Sequence, residues 1–218
     1  MGIKNLIEQL KYRYINNELE RRFVIVIPDT EEQKELIYRL RYDVYCLECN
    51  YLKAEDYPDR KETDEYDKNS VHFGVVEKTN KNLVGAVRLV KHNEKGLPME
   101  NDFDIHINHN AHHASQSLEI SRLAIVERYR RRKKNQFVIL QIFKAIYTYC
   151  KKNKYRYLYA AIDGRVFNHL KKFGFSFQVL GHAKYYMGSD SIPVMIDIEH
   201  ESMWLRIVNP ALWSYLNK

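Results

Sequence analysis

Apolar positions recur along the chain with two periods, one of strands and one of helices. Phe23-Val-Ile-Val-Ile27 is a β-branched run closed by Pro28, which predicts a short strand. Asp29-Thr30-Glu31-Glu32 supplies N-cap chemistry and early acids, and predicts a helix running to about Glu48. Val71 to Glu77 and Leu83 to Lys91 read as strands around a turn at residues 79–82. Leu118 to Val126, Tyr155 to Ile162, Phe175 to Leu180 and Ile192 to Ile198 read as four more. Helical spacing marks Ile3 to Leu19, Asn135 to Lys152 and Arg165 to Phe173. Asn50 to Asn69 and Asn93 to Ser115 read as long polar loops, and long loops in compact domains tend to carry function. No internal repeat is visible. This order predicts one α/β (α+β) domain over residues 1–218, a mixed sheet flanked by helices. Residues 1–22 form an amphipathic helical extension and residues 202–218 a closing helical segment.

Charges interrupt this pattern in an ordered way. On the first internal helix, Tyr38, Arg41, Tyr42 and Tyr45 share one face by spacing, and Leu36, Ile37, Leu40 and Val44 the other. Glu62, Asp64 and Asp67 lie in the first long loop. Gly85-Ala-Val-Arg88-Leu puts an arginine inside a strand, and Glu119-Ile-Ser-Arg122-Leu puts a glutamate and an arginine inside another. Strand alternation points Glu119 and Ser121 to one face and Arg122 to the other. Burying unpaired charge is costly, so Arg88, Glu119 and Arg122 need partners, and the loop acids can supply them. Such a bundle can hold a zwitterionic substrate and place a base beside its amine.

The ordered set resembles the autoinducer (acyl-homoserine-lactone) synthases: arginine-bearing helix, acidic loop, Gly-x-x-Arg-Leu strand, Glu-x-Ser-Arg strand. It is closer still to the N-acyl amino acid synthases and exosortase-associated acyltransferases. Arg39-Leu-Arg-Tyr-Asp-Val-Tyr-Cys46, Ala54-Glu-Asp-Tyr-Pro-Asp59 and Asp64-Glu-Tyr-Asp-Lys-Asn-Ser-Val-His-Phe73 carry that likeness, which spans about residues 23 to 200. The resemblance implies a GNAT-like (acyl-CoA N-acyltransferase) fold with a mostly antiparallel twisted sheet. It implies an N-acyltransferase moving a fatty acyl group from an acyl-carrier-protein or acyl-CoA thioester to the amine of an amino acid. No tightly bound cofactor and no metal are expected. Glu119, Ser121 and Arg122 are then the catalytic candidates, with Glu119 as base and a backbone N–H of the distorted strand after Arg122 as oxyanion donor. Arg41, Tyr45, Glu62, Asp64, Asp67 and Arg88 are the substrate-binding candidates. With two of the three arginines neutralised by the loop acids, the third, Arg88 by preference, is left for the acceptor's carboxylate. Phe73, Val75, Phe143, Tyr147, Phe173, Phe175 and Phe177 are candidates for the acyl tunnel. The closing stretch from Phe173 to Gly188 is expected to hold the splayed strand where the chain enters.

Composition adjusts this picture in three places. A formal net charge of +7 steers the protein toward polyanions, and Arg128-Tyr-Arg130-Arg131-Arg132-Lys133-Lys134 concentrates the charge. That segment stands where N-acetyltransferases carry a glycine-rich phosphate turn, and it has no glycine. Its side chains are expected to bind the donor, which favours a carrier protein as partner over acetyl-CoA, with peripheral membrane contact as a further possibility. No aromatic platform accompanies it, which argues against nucleic acid. With 17 Tyr and only 8 Gly, the chain suits pocket walls of amphipathic rings. Three cysteines without the apolar block of a signal peptide read as free thiols in a reducing cytoplasm. The Cys46-x-x-Cys49 pair and the histidines at 106, 109, 112 and 113 lack the partners of a metal site. Two other readings stay open: an autoinducer synthase acting on S-adenosylmethionine, and an inactive basic binding module for membrane or nucleic acid. The first normally carries a loop tryptophan, whereas Trp204 and Trp213 are both C-terminal.

Overall fold

A computed structural model describes residues 17, 18, 20–105, 107, 111–130 and 137–217. The helix expected over residues 3–19 lies almost wholly outside them. Strand β1 (Phe23–Val26) leads into helix α1 (Glu31–Tyr42), whose first turn is capped by Thr30 accepting from the Gln33 amide. The helix continues as a wider π turn, Asp43–Glu48. Strands β2 (Ser70–Glu77) and β3 (Leu83–Lys91) follow as an antiparallel pair. Two short helices, α2 (Pro98–Phe103) and α3 (Ala111–Ser115), occupy the second loop, where the polar sequence predicts none. Pro98 at the start of α2 suits a helix N-terminus, a signal that the surrounding polarity obscures.

Strand β4 (Ser117–Ile125) is followed by α4 (Glu127–Arg130), α5 (Phe137–Asn153), β5 (Tyr157–Asp163) and α6 (Gly164–Lys172). The expected strand from Phe175 to Leu180 shrinks to β6 (Gln178–Val179). Strand β7 (Lys184–Tyr186) then hairpins into β8 (Ser189–Asp197). The C-terminal segment is two helices, α7 (Ile198–Val208) and α8 (Pro210–Leu216), because Pro210 starts a second helix whose N-cap is Asn209.

The eight strands form one sheet in the order β1-β2-β3-β4-β5-β8-β6, with β7 also on β8. Every pairing is antiparallel except β4 with β5. Alternation along β3 separates two cores. Ala86 joins Ile37 and Leu40 of α1 and Val44 of the π turn, whereas Val87 and Leu89 join Val138 and Ile142 of α5 and Leu205, Leu212 and Leu216 of α7 and α8. Helix α1 therefore covers one face of the sheet, and α5, α7 and α8 the other. Leu36, expected on the apolar face of α1, is exposed.

Candidate active site

The sheet opens at its centre. Strands β4 and β5 pair only through Ser117–Tyr157, Leu118–Leu158 and Glu119–Tyr159, and then part. Between Ala86 and Arg88 of β3 the register on β4 slips by one residue, so Ala86 faces Ala124 but Arg88 faces Ser121. Arg122 occupies the bulge with a left-handed backbone, φ 51°, which a non-glycine residue adopts only at a cost. The bulge lets Ser121 and Arg122 reach the same side-chain network. The alternation argument, which sent Arg122 to the opposite face, fails for that reason.

The network is closed. Arg41 donates through Nε to Glu62 at 2.5 Å and through Nη1 and Nη2 to both oxygens of Asp67, at 2.7 and 3.2 Å. Arg88 donates to Asp64 through Nη1 and Nη2 at 2.5 and 2.9 Å, to Asp67 at 2.8 Å and to the Ser121 hydroxyl at 3.0 Å. Arg122 donates to Glu62 at 3.0 Å and Asp64 at 2.8 Å. Local structure aims these acids: Asp64 caps the short 3-10 helix Glu65–Asn69, accepting from the Tyr66 amide at 2.9 Å, while Asp67 accepts from the Asp64 amide at 2.8 Å. Burial alone would raise the Asp67 carboxyl, but the hydrogen bonds and charge of Arg41 and Arg88 hold it well below the usual carboxylate range. Arg41 and Arg88 are wholly buried.

Each of the three arginines engages two carboxylates, so the expectation that Arg88 stands free for an acceptor carboxylate is not met. Three acids match three arginines, and none is left over. The arginine that still faces a cavity is Arg122, whose Nη1 meets the Met187 sulfur at 3.1 Å and whose guanidinium also engages the Tyr186 hydroxyl.

Glu119 sits apart from this network. One of its oxygens accepts the Met99 amide at 2.8 Å, and the side chain lines the cavity. Burial pushes its pKa up to about 8 against the opposing Met99 hydrogen bond and the charges of Arg88 and Arg122. Tyr45, on the π turn, lines the same cavity and stacks on Tyr51 with centroids 6.4 Å apart. Burial raises its hydroxyl pKa. Gly188, at φ +81°, lies flat on Tyr51: a Cβ there would sit 2.1 Å from the ring.

The cavity, of about 300 Å³, passes through the gap where β4 and β5 part. Ile120 to Leu123 and Ala160 to Asp163 form its sides. Glu119, Arg122 and Tyr45 stand toward the α1 face. Phe143, Tyr147, Leu205 and Leu216 stand on the α5, α7 and α8 face. A parallel strand pair that parts beside a bulged strand, with a cavity through the gap, is the feature that decides the fold.

Residues 40–139 match the family described as "Acetyltransferase (GNAT) domain". The fold is GNAT-like. The whole structure is similar to that of the AHL synthase LasI, with a TM-score of 0.67 at 15% identity over 88% of this chain and 95% of that one. It is similar to FeeM, an N-acyl amino acid synthase from uncultured soil microbes, with a TM-score of 0.60 at 17% identity over 84% and 94%. BjaI, a CoA-dependent acyl-homoserine lactone synthase solved with SAM and isopentyl-CoA, gives 0.62 at 20% identity over 86% and 82%. At these identities the likeness is one of fold. No curated protein matches the sequence.

Within this GNAT-like fold the remaining expectations divide. Phe143, Tyr147, Phe175 and Phe177 line the cavity, whereas Phe73, Val75 and Phe173 do not. Phe73 and Val75 are closed into the core under α5. The splay lies between β4 and β5 rather than in the closing stretch, which contributes Phe175, Phe177, Tyr186 and Met187 as walls. Of the basic segment, Arg128 reaches Glu77 at 3.4 Å and Arg130 reaches Glu48 at 2.5 Å. Arg131, Arg132, Lys133 and Lys134 lie outside the described residues. Cys46 and Cys49 are free thiols, and no group of three or more His, Cys, Asp or Glu among the described residues could hold a metal. Trp204 and Trp213 do not line the cavity. No helix among the described residues is long and apolar enough to cross a membrane. Tyr186 and Met187, within the closing stretch expected at the chain's entry, do line the cavity, whereas Glu201 was not expected there. It comes from the C-terminal third, where no charged motif in a strand marks it.

Proposed function

We propose that this GNAT-like protein is an N-acyltransferase that joins a fatty acyl group, carried as a thioester, to the amine of an amino acid. The cavity carries this reading: a polar, charged mouth on one face of the sheet continues into an apolar chamber on the other. An acyl chain fits the chamber, and its thioester carbonyl then lies in the β4–β5 gap. An amine beside Glu119 attacks that carbonyl. The C–N bond forms as the C–S bond breaks, the ammonium proton passes to Glu119, and the thiol leaves with a proton. A base with a pKa near 8 is well matched to an amine that is mostly protonated at neutral pH. The backbone of the β4 bulge at Arg122–Leu123, which has no Cα partner in β3, supports its role as oxyanion donor. Arg122 would read the acceptor's carboxylate, and the Arg41, Arg88, Glu62, Asp64 and Asp67 network would hold Arg122 in place. Arg128 and Arg130, with the basic side chains that follow, would draw in the phosphate of the donor's pantetheine arm or the acidic face of a carrier protein.

Lipid mass spectrometry of cells expressing the protein tests the reading. New N-acyl amino acids support it. Acyl lactones would point to S-adenosylmethionine as acceptor, and an unchanged profile would favour a binding module.

A further inference from the structure

The inner half of the cavity holds two polar groups that the proposed chemistry does not use. Glu201, on α7, is buried, and its two carboxyl oxygens share one donor, the Ser176 amide, at 3.0 and 3.3 Å. No cation lies within ion-pair distance of it among the described residues. Tyr147, on α5, is also buried, and its hydroxyl has no hydrogen-bond partner among the described residues. Both line the chamber, beside Phe175 and Leu205. Burial of a carboxyl and a phenol in an apolar wall is unfavourable unless each finds a partner. Phenylalanine would fill the place of Tyr147 as well, and the Ser176 amide needs only one acceptor, which a neutral glutamine would supply as well as Glu201. Ser176 alone uses one of the roughly four acceptor positions that a carboxyl offers.

Both groups come from the helices on the face opposite Arg122 and Glu119. They therefore meet the far part of an acyl chain, not the carbons next to the thioester. We infer that the chamber selects a fatty acyl chain carrying an oxygen, a hydroxyl in the first instance, in its distal half, bonded by Glu201 and Tyr147. The inference rests on the acyl-transfer reading above. Burial pushes the Glu201 carboxyl up to about 7, against the Ser176 hydrogen bond, so that below neutral pH it is uncharged and can both donate to and accept from such a hydroxyl.

The test is a competition between two acyl thioesters of equal length, one saturated and one hydroxylated near its methyl end, each offered both on CoA and on acyl carrier protein, with the purified full chain and free amino acids. The wild-type protein should prefer the hydroxylated chain in kcat/KM by about tenfold or more, the worth of one buried hydrogen bond. Glu201→Leu and Tyr147→Phe should each bring that ratio toward one. Glu201→Gln keeps an acceptor for the Ser176 amide, and should retain part of the preference if Glu201→Leu proves unstable. A wild-type preference for the plain chain, or a ratio that none of the variants moves, would overturn the inference while leaving acyl transfer intact. No amide product from either thioester would overturn both.

Discussion

Ser121 and Arg122 are neighbours on one strand, yet both face the same ion-pair network: Ser121 accepts from Arg88 at 3.0 Å, and Arg122 donates to Glu62 and Asp64 at 3.0 and 2.8 Å. A regular strand would turn them to opposite faces. The bulge at Arg122 undoes the alternation, and the same local distortion sits where β4 leaves β5 and the cavity opens. Strain in the backbone, a buried charge cluster and the cavity mouth therefore share one cause.

Glu119→Gln should lower kcat/KM on the order of 10²–10⁴-fold if Glu119 takes the proton. The wild-type rate should climb with pH until about 8, where the carboxyl is ionised, and the variant should lose that inflection. Steady-state kinetics across pH 6 to 9, with circular dichroism as a check on folding, decide it. Near wild-type turnover in a folded variant would remove Glu119 from this role.

The same substitution has a stability signature. Burial raises the Glu119 pKa from 4.5 to about 8, so the folded state holds its proton longer than the unfolded state does. Its ionisation therefore costs stability as pH rises between those values, and the cost is complete above about 8. Relative to wild type, Glu119→Gln should gain stability over that window, with no further change below it. Urea unfolding at pH 5, 7 and 9 measures the difference. Asp67 runs the other way: its depressed pKa adds stability above the unfolded value of roughly 3.9, lost as pH falls further.

Arg122 is the arginine that lines the cavity, so a free amino acid should be a better acceptor than its methyl ester. Arg122→Lys should raise the KM for the free acid through loss of the guanidinium fork, and should narrow its advantage over the ester. Acceptor kinetics with paired acids and esters check this. Equal use of acid and ester by the wild type would mean that no arginine reads the carboxylate.

Reversing the charge of Arg128 and Arg130 should raise the donor's KM with a smaller effect on kcat at saturation. The effect should shrink with added salt, which screens exposed charges over roughly 8–10 Å near physiological ionic strength. Donor titrations at low and high salt measure it, and kinetics indifferent to both charge and salt would exclude the segment from donor binding.

Much of this arrangement is legible in the chain because the informative residues break local rules. Arginine at 88 and 122 and glutamate at 119 interrupt apolar strands, and only partners or a reaction justify their burial. The acids at 62, 64 and 67 are the only dense supply near enough in the fold, and they do pair with all three arginines. The stoichiometry was not legible: which carboxylate meets which guanidinium depends on the bulge, and a one-residue register slip leaves no mark in apolar periodicity. Helices α2 and α3 escaped because their residues are polar and their apolar contacts, such as Leu97 and Met99 against Tyr159, are few and scattered. Glu201 escaped because it lies among apolar helix residues that fit a core and a chamber equally well, whereas Phe175 and Phe177 were legible as chamber walls.

The most direct measurement of the central claim is acyl transfer by the purified protein. A long-chain acyl-CoA or acyl-carrier-protein thioester is mixed with a panel of free amino acids, and products and released thiol are followed by mass spectrometry. The account predicts an amide-linked N-acyl amino acid formed in step with thiol release, and suppressed in Glu119→Gln. Thiol release without any amide, or amide formation that survives Glu119→Gln unchanged, would contradict it.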